Sequence, residues 1–179
     1  MSDLKAYFLV IALFSIGLWA CKKNISYSEI PEIHFQKLVM KVYKADDLGN
    51  LLKEAKVTFS FADGDGDLGT FPNTNTKTSM IHYSWMKKQA DGQYIPHIFS
   101  SGSASDTLSI PYDKVMDKDE AYNKLLKGVI DMKITIPYVG AADMDTVRLE
   151  FYITDRAEHS SNVAISPDFS VLADSVRLE

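Results

Sequence analysis

Beyond Pro31 the apolar positions of the chain recur with a period of two. Val147, Leu149, Phe151 and Ile153 alternate with Arg148, Glu150, Tyr152 and Thr154, which predicts a half-buried strand. Ile130, Met132, Ile134 and Ile136 do the same against Asp131, Lys133 and Thr135, and Val57, Phe59 and Phe61 against Thr58 and Ser60. Ile81, Tyr83 and Trp85 form another set, followed by the turn signal Ala90-Asp91-Gly92 and a second apolar stretch over 94–99, a hairpin pattern. Across 33–43 the parity changes: Ile33 and Phe35 fall on one phase, Leu38, Met40 and Val42 on the other. One extra residue near Gln36-Lys37, a β-bulge, reconciles the two.

A single segment breaks this period. Asp117-Lys118-Asp119-Glu120 has capping-box spacing, Tyr122, Leu125 and Leu126 follow at i, i+3 and i+4, and Gly128 stands where a helix would close. Seven or eight strands, short polar connections and one short helix predict an all-β fold, an antiparallel β-sandwich. The chain shows no internal repeat and no second domain. Residues 100–106 read as a flexible loop.

The N-terminus has a different character. Residues 6–18 are almost continuously apolar and end in Trp19-Ala20-Cys21-Lys22-Lys23. A membrane span needs about 20 apolar residues, whereas a signal h-region takes roughly 7–15. The run, with a small residue before a cysteine, resembles a bacterial lipoprotein signal peptide. That resemblance implies cleavage before Cys21 and lipidation of it, with an uncleaved anchor or ordinary secretion as alternatives. Residues 1–20 are then the signal peptide, 21–31 the lipidated cysteine and tether, and 32–179 the sandwich domain. Cys21 is the one cysteine, so a lipidated chain has neither a disulfide nor a free thiol.

The net charge is −5. Loss of the leader removes one acid and one base and leaves it unchanged. That balance excludes a nucleic-acid partner, which requires clustered Lys and Arg. Contact with the membrane is expected through the lipid.

The strongest chemical motif follows the strand at 57–61: Asp63-Gly64-Asp65-Gly66-Asp67-Leu68-Gly69. Aspartates at i, i+2 and i+4 can wrap one hard cation, and the glycines permit the positive φ that a tight wrap needs. An all-oxygen set points to Ca²⁺ over zinc or copper. The loop is not an EF-hand, because Leu68 stands at the sixth position and Thr74 at the twelfth. A solvated Asp/Gly turn is the alternative. A second segment, Asp155-Arg156-Ala157-Glu158-His159-Ser160-Ser161-Asn162, ends the most regular strand. It resembles the Asp-x-Ala-Gly-Asn-x-Ser ending of bacterial immunoglobulin-like domains, with Glu158-His159 in place of Gly-Asn. Strand ends meet at one pole of a sandwich, so Asp155 and Asn162 are expected to complete a site begun by Asp63, Asp65 and Asp67.

The leader, the Asp-Gly-Asp-Gly-Asp-Leu-Gly loop after a Phe-x-Phe strand, Lys127-Gly128 before a strand, and Asp155-Arg-Ala with Ser161-Asn162 together resemble small Bacteroidetes lipoproteins. The resemblance implies a single immunoglobulin-like β-sandwich in the outer membrane. Lys22-Lys23-Asn24 after the cysteine leaves both the periplasmic and the surface face open.

No nucleophile elbow, zinc-binding His pair or phosphate loop is present. His34, His82, His97 and His159 are scattered, and His34 and His82 read as strand-face residues. The expected function is therefore not enzymatic: a lipid-anchored envelope protein with a binding or structural role and a glycan or protein partner. Trp85, Tyr83, Tyr94 and Phe99 are the rings that a carbohydrate-binding accessory of a polysaccharide uptake system would use. Trp85 shares parity with Ile81 and Tyr83, which favours a place in the core. A hydrolase built on carboxylates paired in space is the weakest alternative.

Overall fold

The computed structural model describes residues 27–44, 51–69, 79–97, 108–111, 125–137 and 146–179. Cys21 and the leader lie outside them, as do Asp117 to Tyr122 of the expected helix. Among the described residues there are nine strands and no helix.

The first sheet is built on a long hairpin. β1 (Glu32–Lys44) pairs antiparallel with β2 (Leu51–Asp63), Ile33 opposite Phe61 and Leu38 opposite Val57. The register shifts between Phe35 and Lys37, so the bulge expected from the parity change is present. It lets Ile33 on one side, and Leu38 and Met40 on the other, all face the core. β6 (Leu126–Pro137) runs along the other edge of β2, and β9 (Ser175–Leu178) along the free edge of β1, giving the order β6-β2-β1-β9.

The second sheet centres on β3 (Met80–Lys88) and β7 (Val147–Thr154), with β8 (Ala164–Ile165) beyond β7. β4 (Tyr94–His97) and β5 (Leu108–Pro111) share the remaining edge of β3, one pairing with 85–88 and the other with 80–83. The turn into β4 is the one expected: Gly92 takes φ 84°, and Gln89 N–H donates to Gln93 O over 2.7 Å. Every pairing is antiparallel. The neighbour relations β1-β2-β6 and β3-β7-β8 are those of strands A-B-E and C-F-G in an immunoglobulin-like sandwich.

The inward rows of the two sheets close on each other. Phe59 of β2 meets Phe151 of β7 with ring centroids 5.0 Å apart and planes tilted by 54°. Trp85 is buried with its ring edge-on to Phe169 at 5.9 Å, so this indole belongs to the core. Lys53 enters from β2, and its buried ammonium donates to the carbonyls of Val171 and Ala173, pinning the segment before β9.

One local expectation is corrected. Leu126 does not end a helix; it opens β6, buried opposite Asp63, and Gly128 is the third residue of that strand, opposite Phe61. At Leu126 the local helical spacing is outweighed by a twelve-residue ladder along β2. The glycine has a packing role: a Cβ there would sit 2.8 Å from the Phe61 ring.

Candidate metal centre

Asp63 is the last residue of β2 and continues the parity of Val57, Phe59 and Phe61. The strand period thus directs a carboxylate at the core, and Asp63 is only 1% exposed. The chain then curls back, with Gly66 at φ 71° and Gly69 at φ 89°, values that favour glycine. Leu68, fully buried, anchors the loop to the core. Gly64 lies against backbone: a Cβ there would meet the Ser28 carbonyl oxygen at 2.2 Å.

Hydrogen bonds hold this curl from within and from across the pole. Asp67 N–H donates to Asp63 Oδ2 over 3.0 Å, and Ala157 N–H donates to Asp67 Oδ2 over 3.0 Å. Arg156 Nη1 donates to Gly69 O at 3.0 Å and Leu68 O at 3.3 Å. The opposite oxygens are different. Asp63 Oδ1, Asp65 Oδ1 and Asp67 Oδ1 are all buried without a hydrogen-bond partner. One carboxylate oxygen from each of the three residues lies within 4.8 Å of the others. An unpaired buried acceptor costs about 1–3 kcal/mol, more when charged, so three together demand a counter-charge.

Their electrostatics carry the same message. Burial, then the charges of Asp65 and Asp67, push the Asp63 carboxyl up to about 7. Asp67 is pushed up to about 6 by burial and by Asp155 and Asp65, although Arg156 and the Ala157 amide pull it down. A proton or a cation is the physical means of relieving this repulsion.

The two partners expected from the second segment are differently placed. Asp155, 2% exposed, follows β7 directly but stands outside the 4.8 Å group. Both of its oxygens face His159: the amide donates to Oδ1 over 2.8 Å, and Nδ1 lies 3.0 Å from Oδ2. Burial holds Asp155 above the usual carboxylate range while His159 draws it down, and Asp155 in turn raises His159. Asp155 also acts on Asp63 and Asp67 through its field. Asn162 is committed to β1: its Oδ1 accepts from Ile33 N–H, and its Nδ2 donates to Ile33 O, both at 2.8 Å. Glu158 takes φ 70°, a left-handed non-glycine residue at a position where the resembling ending carries glycine. Arg156, the Ala157 amide and His159 are the contributors that motif reading missed. Their one trace in the sequence is adjacency to Asp155.

Of the four rings that a glycan platform would use, Phe99 lies outside the described residues, Tyr83 and Trp85 are buried, and Tyr94 is covered on one face. The guanidinium carbon of Arg148 lies 3.6 Å from the Tyr94 ring centroid, and the Tyr94 hydroxyl donates to Asp168 at 2.7 Å. His82 stacks on Tyr152 at 4.6 Å. His34 is an exposed strand-face residue, its ring 3.1 Å from Glu32.

No family model matches the chain, and no curated protein matches it. The X-ray structure of Northeast Structural Genomics Consortium target SoR45 is similar over 85% of this chain and 88% of that one, at 12% identity and a TM-score of 0.24. A likeness that low carries no argument. Chemically, Asp63, Asp65 and Asp67 could together hold one metal ion.

Proposed function

We propose that the protein is a non-enzymatic, lipid-anchored envelope component whose sandwich is tied at one pole by a Ca²⁺ ion held by Asp63, Asp65 and Asp67. The observation that carries the metal reading is the set of three buried, unpartnered Oδ1 atoms on carboxylates within 4.8 Å of one another. Hard oxygen donors in a loop suit Ca²⁺, which accepts irregular geometry at 2.3–2.6 Å, whereas Mg²⁺ prefers a strict octahedron with several waters. Because the oxygens are buried, the ion's role is structural. Asp155 adds negative field, and Asn162 holds the same pole together through β1. The lipid anchor rests on Ala20-Cys21 after the apolar leader. It predicts that Cys21→Ser abolishes labelling by a clickable fatty acid.

The test of the metal is thermal unfolding with Ca²⁺ and then with chelator. Saturation at 100 times Kd stabilises by ~2.7 kcal/mol, which for a domain of this size raises Tm by roughly 5–10 °C. Asp65→Ala should abolish the rise. An unchanged Tm at millimolar Ca²⁺ leaves the loop a plain turn.

A further inference from the structure

The cation loop touches the chain on its way to the anchor. Residues 27–30 are exposed, with Tyr27 at 43% and Ile30 at 54%, and they precede the point where the fold takes hold. From Pro31 the chain is secured: Pro31 is buried, and the Asn162 amide clamps both backbone groups of Ile33. Before that, three contacts stand out. Ile30 N–H donates to Ser28 Oγ at 3.0 Å, a bond within the segment itself. Lys127 Nζ lies 5.5 Å from the Tyr27 ring centroid. The third is the approach of Gly64 to Tyr27 and Ser28. A Cβ on Gly64 would be 2.2 Å from Ser28 O, 2.8 Å from Ser28 C and 2.9 Å from Tyr27 C.

That approach is backbone on backbone, so no flexible side chain cushions it. Gly64 sits between Asp63 and Asp65, whose unpartnered oxygens belong to the cation cluster. A loop that opens to separate its carboxylates must carry Gly64 with it. A loop closed on an ion holds Gly64 in place as a seat. Segments with few buried contacts open at the lowest free-energy cost, and 27–30 is such a segment.

We infer that cation occupancy of the aspartate loop controls whether residues 27–30 are docked on the sandwich, making the site a clasp on the tether. The inference rests on the cation reading above. With the clasp closed, residues 27–30 move as part of the sandwich; with it open, they are released and the chain is held from Pro31 onward. The domain then gains reach and rotational freedom relative to Cys21 without losing β1.

The experiment uses the full chain in detergent micelles with Cys21→Ser, so that a nitroxide attached through Ile30→Cys reports on the segment alone. The expected result is an immobilised spectrum in Ca²⁺, a several-fold shorter rotational correlation time in chelator, and a mobile spectrum in both for Asp65→Asn. A label at Glu32→Cys, beyond the clamp, should stay immobilised throughout. Equal mobility at Ile30→Cys with and without Ca²⁺, in a protein whose Tm still rises with Ca²⁺, overturns the clasp and leaves the structural ion standing. Loosening at both labels in chelator also overturns it, because the pole is then melting as a whole. If Ca²⁺ moves neither Tm nor mobility, the cation reading fails and the clasp fails with it.

Discussion

The Ala157 amide donates to Asp67 Oδ2 across 3.0 Å, joining two turns whose residues are 90 apart in sequence. That bond uses one oxygen of Asp67 and leaves Oδ1 buried without a partner. Charge and hydrogen bond can therefore be separated. Asp67→Asn keeps an acceptor for Ala157 and removes a negative charge from the cluster. In chelator it should raise stability by about 1–2 kcal/mol, since one pKa unit of relieved repulsion corresponds to ~1.4 kcal/mol. In Ca²⁺ it should shrink the Tm rise. Paired melts of wild type and variant in both buffers measure this, and a variant less stable in chelator would contradict the repulsion argument.

The pH dependence of the ion-free protein has a definite sign. Asp63, buried and beside Asp65 and Asp67, titrates near 7 when folded against an ordinary value of 3.8, and Asp67 near 6. Between about pH 4 and 7 the folded state holds protons that the unfolded chain has released. Stability from these groups is complete below about pH 4 and is lost as pH rises through 6 and 7. The exposed groups Asp131, Asp168 and Glu179 are shifted downward and titrate below this window. In chelator Tm should therefore fall from pH 4.5 to 8. Ca²⁺ should remove the part of the fall that Asp63 and Asp67 carry, because the ion replaces their protons, and leave the smaller part due to the raised His159. Asp63→Asn should flatten the chelator curve, and a flat wild-type curve would show that the cluster does not carry the load assigned to it.

Much of this arrangement is legible in the order of residues, and the reason is periodicity. The strands follow from alternation, and the bulge from the parity change between Phe35 and Leu38. The inward aim of Asp63 follows from its place in the row Val57, Phe59, Phe61. The 63–69 loop announces itself because its three carboxylates are local. Other features depend on distant partners. The bonds that Asn162 makes to the backbone of Ile33, 129 residues away, are one such feature. Asp155 faces the same pole, but the fold sets both of its oxygens against His159 and outside the 4.8 Å group of Asp63, Asp65 and Asp67. Leu126 reads as helical because local spacing is blind to the edge of β2 that captures it.

Two aromatic substitutions separate core from surface. Trp85 is buried against Phe169, so Trp85→Ala should cost about 3–5 kcal/mol in urea unfolding. Tyr94 is partly exposed, with Arg148 over its ring and Asp168 on its hydroxyl. Tyr94→Ala forfeits one charge-assisted hydrogen bond and a cation–π contact, on the order of 1–2 kcal/mol. Equal costs for the two would mean that the Tyr94 cluster is as integral to the fold as the core.

Glu158 supplies the last prediction. Its φ of 70° lies in the left-handed region, where a side chain costs roughly 1–2 kcal/mol relative to glycine. The strain is held in place by the bonds around it: Asp155 N–H donates to His159 O, and Glu158 N–H to Asp155 O. Glycine takes this conformation freely but has more freedom to lose on folding, which offsets part of the gain. Glu158→Gly should stabilise the domain by about 0.5–1 kcal/mol, seen as a higher urea midpoint at an unchanged slope. It also removes a negative charge from the neighbourhood of Asp155, so the gain should be larger in chelator than in Ca²⁺. A lower midpoint in both buffers would mean that the glutamate side chain holds the 155–162 turn in a way that outweighs its backbone strain.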